Sequence, residues 1–216
     1  VEQGGDVNTP DNLGRNPLYI AAKKGHVGAI QALVEHGGNV TTHSIGGHSP
    51  VCIAAHEGHV ETIRTLVEYG GDVNTPDNAG RTSVFIAAHQ GHVETIRTLV
   101  EYGGDVNTPD RIGRTPVLIA AHQGHVETIR TLVEHGGGVN TPDNLGRTPV
   151  FIAAQKGHED VIRTLVEHGG NVNTPDNDGA TPVFIAAHQG HADVIRTLVK
   201  HGGDVNPPAS NGATPV

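Results

Sequence analysis

The chain has 216 residues, a formal net charge of −9 with histidine neutral, and only 3% aromatic residues. That acidity argues against general nucleic-acid binding; no apolar run reaches membrane-spanning length, and no signal-peptide pattern is visible. The single cysteine, Cys52, excludes an internal disulfide framework and a cysteine-rich zinc site, so an intracellular, cytoplasmic protein is the simplest reading.

One block of 33 residues recurs along the chain: Gly14, Gly47, Gly80, Gly113, Gly146, Gly179 and Gly212 keep that spacing without insertion. Complete units run over 11–43, 44–76, 77–109, 110–142, 143–175 and 176–208, with partial units at 1–10 and 209–216. A fixed period of this length means stacked supersecondary units, each touching its neighbours, so one array over 1–216 is expected. Such an array favours an extended recognition surface over an enclosed catalytic pocket. Methionine is absent and both Val1 and Val216 fall inside units, so the chain is expected to be a piece of something longer.

The elements of one unit, 110–142, follow in order. Thr115-Pro116 starts a helix, because the hydroxyl accepts an orphan N–H and proline suits the first helical position. Val117, Ile119, Ala120 and Ala121 make it apolar, and Gly124 ends it in a left-handed cap. A second helix spans about His125 to His135, with Val126, Ile129, Leu132 and Val133 as its buried stripe. Glu127, Arg130 and Glu134 lie opposite, and Gly136-Gly137 stops the helix. Asn140 to Asp143 and Gly146 then supply a tight, hairpin-like turn.

Helix, turn, helix and projecting turn, written as GRTPVLIAAHQGH with Asp-Val-Asn at 72–74 and 105–107, resembles the ankyrin repeat over the whole chain. The resemblance implies an all-α solenoid of stacked helix–turn–helix units with hairpin-like connecting turns. Turn tips and short inner helices would line its concave side. Three departures from the family pattern stand out. The histidine of the first helix is replaced by Tyr19, Cys52, Phe85, Leu118, Phe151 and Phe184, so packing should replace a polar contact there. Glycine stands at 38, 71, 104, 137, 170 and 203 where alanine is usual, and looser connections are expected. The tip over Ser44 to His48 has drifted, as have Asn39, Val40 and Thr41, and Ser83 replaces a proline.

Fourteen of the sixteen histidines fall in three columns. His26, His59, His92, His125, His158 and His191 match the family's structural Gly-His, which ties the second helix to neighbouring backbone. His56, His89, His122 and His188 face the groove by the family's geometry, and His36, His135, His168 and His201 form the third column. Zinc wants three or four convergent ligands, whereas successive layers stand about 10 Å apart, so neither a metal nor another cofactor is expected. Histidine changes charge between pH 5 and 8, so partner binding is expected to vary with pH. No nucleophile elbow, P-loop or dinucleotide fingerprint occurs, and Cys52 lies on the buried side of its helix; no enzymatic activity is expected.

The resemblance implies that a partner meets the turn tips and exposed inner-helix positions. The tip column reads Leu13, Gly46, Ala79, Ile112, Leu145, Asp178 and Asn211; beside it run Arg15, Arg81, Arg114 and Arg147, giving way to Ala180 and Ala213. The groove adds Lys23 and the four histidines His56, His89, His122 and His188. A protein–protein interaction module, scaffold or adaptor, is therefore expected, monomeric alone or part of a larger assembly. Its partner would be an acidic or polar segment, anchored by Leu and Ile and paired by arginine. The alternatives are a targeting array of a larger enzyme, channel or effector, and an architectural subunit of a large complex. The family also implies hydroxylation at Asn74 and Asn107.

Overall fold

The computed structural model describes residues 6–205; Val1, Asn211, Gly212, Ala213, Val216 and the partial unit 209–216 lie outside the described residues. The described residues hold α1 (Pro17–Lys24), α2 (Val27–Glu35), α3 (Pro50–Glu57), α4 (Val60–Glu68), α5 (Ser83–Gln90), α6 (Val93–Glu101), α7 (Pro116–Gln123), α8 (Val126–Glu134), α9 (Pro149–Lys156), α10 (Glu159–Glu167), α11 (Pro182–Gln189) and α12 (Ala192–Lys200). No strand occurs among them, so the fold is all-α as expected. The chain forms two compact units, Val1–Arg111 and Ile112–Val216. In the first, α1, α3 and α5 stack as one layer and α2, α4 and α6 as another. In the second, α7, α9 and α11 form one layer, with α8, α10 and α12 behind them.

The predicted caps are in place. The Thr115 hydroxyl accepts the Leu118 N–H at 3.2 Å, and Ser49 and Thr148 do the same for Cys52 and Phe151. Gly124, at φ 83°, closes α7 in the left-handed region. Apolar burial drives the stacking: Ala54, Ala55, Ala120 and Ala121 are fully buried, which lets neighbouring helices approach closely. Tyr19, Cys52, Phe85, Leu118 and Phe151 are also buried, so the apolar substitutions do serve packing.

Two expectations need correcting. On α8 the buried set is Thr128, Ile129, Thr131 and Leu132, while Val126 and Val133 are half-buried. Threonine reads as polar, yet its methyl group packs, and its hydroxyl can return to the backbone, as Thr65 does to the Glu61 carbonyl at 2.9 Å. Full burial of Ile129 and Leu132 contributes about 1.5–3 kcal/mol each.

The glycine column is tight rather than loose. A Cβ at Gly137 would sit 2.8 Å from both the Leu132 carbonyl oxygen and a Val117 methyl, and Gly71 and Gly104 are similarly crowded. The Gly137 N–H donates to Leu132 at 2.8 Å, so the glycine brings the chain back onto the helix it has just left.

Candidate partner-binding surface

The surface rests on four sets of bonds, three between successive repeats and one within each turn. First, the Gly-His imidazoles reach back one repeat: His59 Nε2 to the Lys23 carbonyl at 3.1 Å, and His92 to His56 at 3.1 Å. In the second unit His158 reaches His122 and His191 reaches Gln155, both at 3.2 Å. With a proton on Nε2 each ring donates, and each also lies over the glycine that ends the preceding inner helix. A Cβ on Gly157 would stand 2.9 Å from the His191 ring. The expected structural role of this column holds.

Second, the asparagine that ends the turn behind a helix pair clamps the next turn with its amide. Asn74 donates to the Gly103 carbonyl at 2.8 Å and accepts the Asp105 N–H at 2.9 Å. Asn8, Asn140 and Asn173 repeat this pair of bonds. Third, the tips are linked through backbone, as Ile45 N–H to Leu13 at 2.9 Å and Asn177 N–H to Leu145 at 3.0 Å.

Fourth, the arginine stripe is tied into its own turns. Arg81 places Nη2 2.6 Å from Asp77, and Arg15 and Arg147 pair with Asp11 and Asp143 at the same distance. The side chain of Asp77 is fully buried, and its carboxylate also accepts the Ala79 and Arg81 N–H groups at 2.8 and 2.9 Å. Burial alone pushes the Asp77 carboxyl up; bonds from the Arg81 side chain and backbone outweigh this and hold it below the usual range. The Arg15 side chain takes exposed Asp11 down to about 2. Arg114 keeps the same register, half-buried. Arg15, Arg81 and Arg147 are thus neutralised turn staples, not free cations awaiting a carboxylate.

The tip column stands out from this framework. Leu13 is 53% exposed, Ile112 51% and Leu145 57%, each held by a turn whose backbone is fixed from below. Ile45, one position earlier in its turn, is 68% exposed; sequence reasoning placed Gly46 in the column and passed over it. The groove column behaves differently again. Lys23, His56 and His122 give their carbonyl oxygens to the histidine ties. Their side chains carry no part of those ties, which explains how Lys, His and Gln interchange at this position. The His122 imidazole meets Gln123 at 2.8 Å and that of His56 meets Gln90 at 2.9 Å; His188 is exposed and His89 half-buried.

The third histidine column, unassigned from sequence, consists of helix ends. Nδ1 of His36, His135 and His168 lies 2.8 Å from the carbonyl four residues earlier, satisfying an orphan acceptor of the last turn. Its signal was the position just before Gly-Gly, where Tyr69 and Tyr102 alternate with histidine. Among the described residues no group of three or more His, Cys, Asp or Glu could hold a metal ion. No helix among them is long and apolar enough to cross a membrane. Burial, and then the nearby Asp77 charge, push the Cys52 thiol up to about 12, so it is unreactive at neutral pH.

The crystal structure of the human ASB11 ankyrin repeat domain is similar, with a TM-score of 0.84 and 27% identity over 93% of this chain and 90% of that one. Curated proteins gave no match. A family model described as ankyrin repeats (3 copies) matches residues 1–77, 39–110 and 84–176, and one described as ankyrin repeats (many copies) matches 165–216. With the helix pairs, the Gly-His ties and the clamped turns, these matches place the chain in the ankyrin-repeat family.

Proposed function

We propose that this chain is a non-catalytic recognition module, a scaffold or adaptor, that binds a protein segment. Ankyrin repeats are in general protein–protein interaction modules, and the chain shares their framework. The observation that carries the reading is the large apolar side chains left exposed on fixed turns in each unit: Leu13 and Ile45 in the first, Ile112 and Leu145 in the second. Apolar anchors on a pre-ordered backbone lose little entropy on binding, which suits them to be hot spots. Lys23, His56, His89, His122 and His188 supply the polar surround. Arg15, Arg81, Arg114 and Arg147 contribute mainly by holding the tips in shape, so the partner is selected by apolar fit before charge.

The test is affinity capture with the array against a variant carrying Leu13→Ser, Ile112→Ser and Leu145→Ser. These positions are exposed, so the variant should keep its helical circular dichroism and lose its partners. Partners retained equally by both arrays would sink the reading.

A further inference from the structure

One concavity of the first unit is explained neither by the turn tips nor by the repeat framework. A cavity of about 200 Å³ is lined by Tyr19, Cys52, Ile53, Phe85 and Ile86, with His48, His56, Arg81, His89 and Gln90 among its walls. It sits where the apolar column that reads Tyr19, Cys52, Phe85, Leu118, Phe151 and Phe184 has its smallest member. Elsewhere in this chain the same register is filled by a ring in four repeats and by leucine in one. An apolar cavity of about 150 Å³ is enough to hold benzene, so a six-membered ring fits the space beside Cys52.

We infer that this cavity receives one phenylalanine side chain from the bound segment, supplying from outside the ring that the second repeat lacks. The inference rests on the reading of the array as a protein-binding module. The apolar walls suit a ring without a polar tip. The amide of Gln90, held 2.9 Å from the His56 imidazole, offers its carbonyl and second N–H to the segment's backbone. Charge around the cavity is largely offset. Arg81, His48, His56 and His89 are opposed by Asp77, which is sealed beneath Arg81, and by Glu57, 3.3 Å from His56. With histidine neutral and Arg81 paired to Asp77, no surplus of positive charge remains, so the ring and not its flank is selected.

The experiment titrates the isotope-labelled full array with N-acetyl-Asp-Phe-amide, N-acetyl-Asp-Ala-amide and N-acetyl-Lys-Phe-amide, read by NMR. Asp-Phe should give saturable shifts at Cys52, Ile53 and Ile86, with affinity at least ~10-fold above Asp-Ala. Cys52→Phe, which restores the ring found in three other repeats, should abolish those shifts while keeping the melting curve. Cys52→Leu, the residue type at Leu118, fills the space more modestly and serves if the first variant folds poorly. Shifts that map elsewhere, or that persist in the filled variants, would overturn the assignment. Lys-Phe should bind about as tightly as Asp-Phe, and a large difference between them would show that charge, not the ring, carries the contact. If the dipeptides fail while the tip variant still loses its partners, the cavity is not a site but the recognition module stands. The reverse pattern removes the tips as the recognition surface.

Discussion

At the head of α9, Asp143 accepts the N–H groups of Leu145 and Arg147 and two bonds from the Arg147 guanidinium, closing the turn on itself. At the head of α3 the same register holds Ser44 and His48. The Ser44 hydroxyl accepts the His48 N–H at 3.2 Å and shares a side-chain hydrogen bond with Tyr19, and His48 turns outward to Asp77 of the following repeat at 3.3 Å. The turns behind the helices differ in parallel. Asn140 clamps Gly169 and Asn171, whereas Thr41 folds back on Asn39 at 2.8 Å. Phe151 fills the core beside one turn and Cys52 leaves a cavity beside the other. The second repeat has thus exchanged local closure for a contact with its neighbour and an open space. The register of a repeat fixes where bonds are needed, but several chemistries can meet the need, at different strengths.

The sharpest way to break this comparison is to remove the aspartate that His48 and Arg81 share. Asp77→Ala strands a guanidinium and two N–H groups and should cost about 2–4 kcal/mol in urea unfolding. Ser44→Ala should cost about 1–2 kcal/mol, since only neutral bonds are lost. Equal losses would mean that the two turns are closed by something other than their carboxylate and hydroxyl. Acid provides the same test without mutation. The Asp77 and Asp11 carboxyls are held below their unfolded value, so they bind fewer protons when folded. Their stabilisation is complete above an unfolded value of about 3.9 and disappears as pH falls through the folded values. Asp77→Asn should therefore flatten the fall in stability between about pH 4 and pH 2, and an unchanged profile would assign that fall to other groups.

Ser83→Pro sharpens the comparison from the other side. Ser83 is fully buried and its hydroxyl has no hydrogen-bond partner, at a first helical position where α3, α7 and α9 begin with proline. The substitution should stabilise by about 1 kcal/mol, through removal of an unsatisfied hydroxyl and a stiffer unfolded chain. A lower melting temperature would show that the serine has a partner after all. Smallest of all, Thr41→Asn should restore the missing clamp toward Gly70 and Asp72 and add about 0.5–1 kcal/mol. Faster amide exchange at Asp72 in that variant would count against it.

Much of this was legible in the sequence. Threonine before proline, glycine at fixed offsets and the Gly-His pair dictate their geometry through capping chemistry that needs no tertiary context. The pairing of the arginine stripe with turn aspartates was not foreseen, because each partner, four residues earlier, faces its arginine only once the turn closes. Linear spacing of that kind signals an ion pair on a helix and says little across a hairpin. Thr128 and Thr131 were missed because burial depends on what lies against a helix, not on polarity alone. The cavity at Cys52 could be foreseen as a small residue in a column of large ones, yet whether neighbours collapse into such a gap is decided by packing.

The bonds that join repeats have a consequence for how such a molecule can change. The histidine tie joins residues 36 apart, the asparagine clamp 29 and 31 apart, and the backbone link between tips 32 apart. Each therefore has one half in one repeat and the other half in the next, like the two faces of a joint between neighbouring bricks. A lone brick would hold only unmatched halves and has no reason to stay folded. Growth or loss by whole bricks keeps every joint intact, whereas inserting a single residue between the halves misaligns all three kinds at once. Length can thus vary freely in this chain only in steps of its own period.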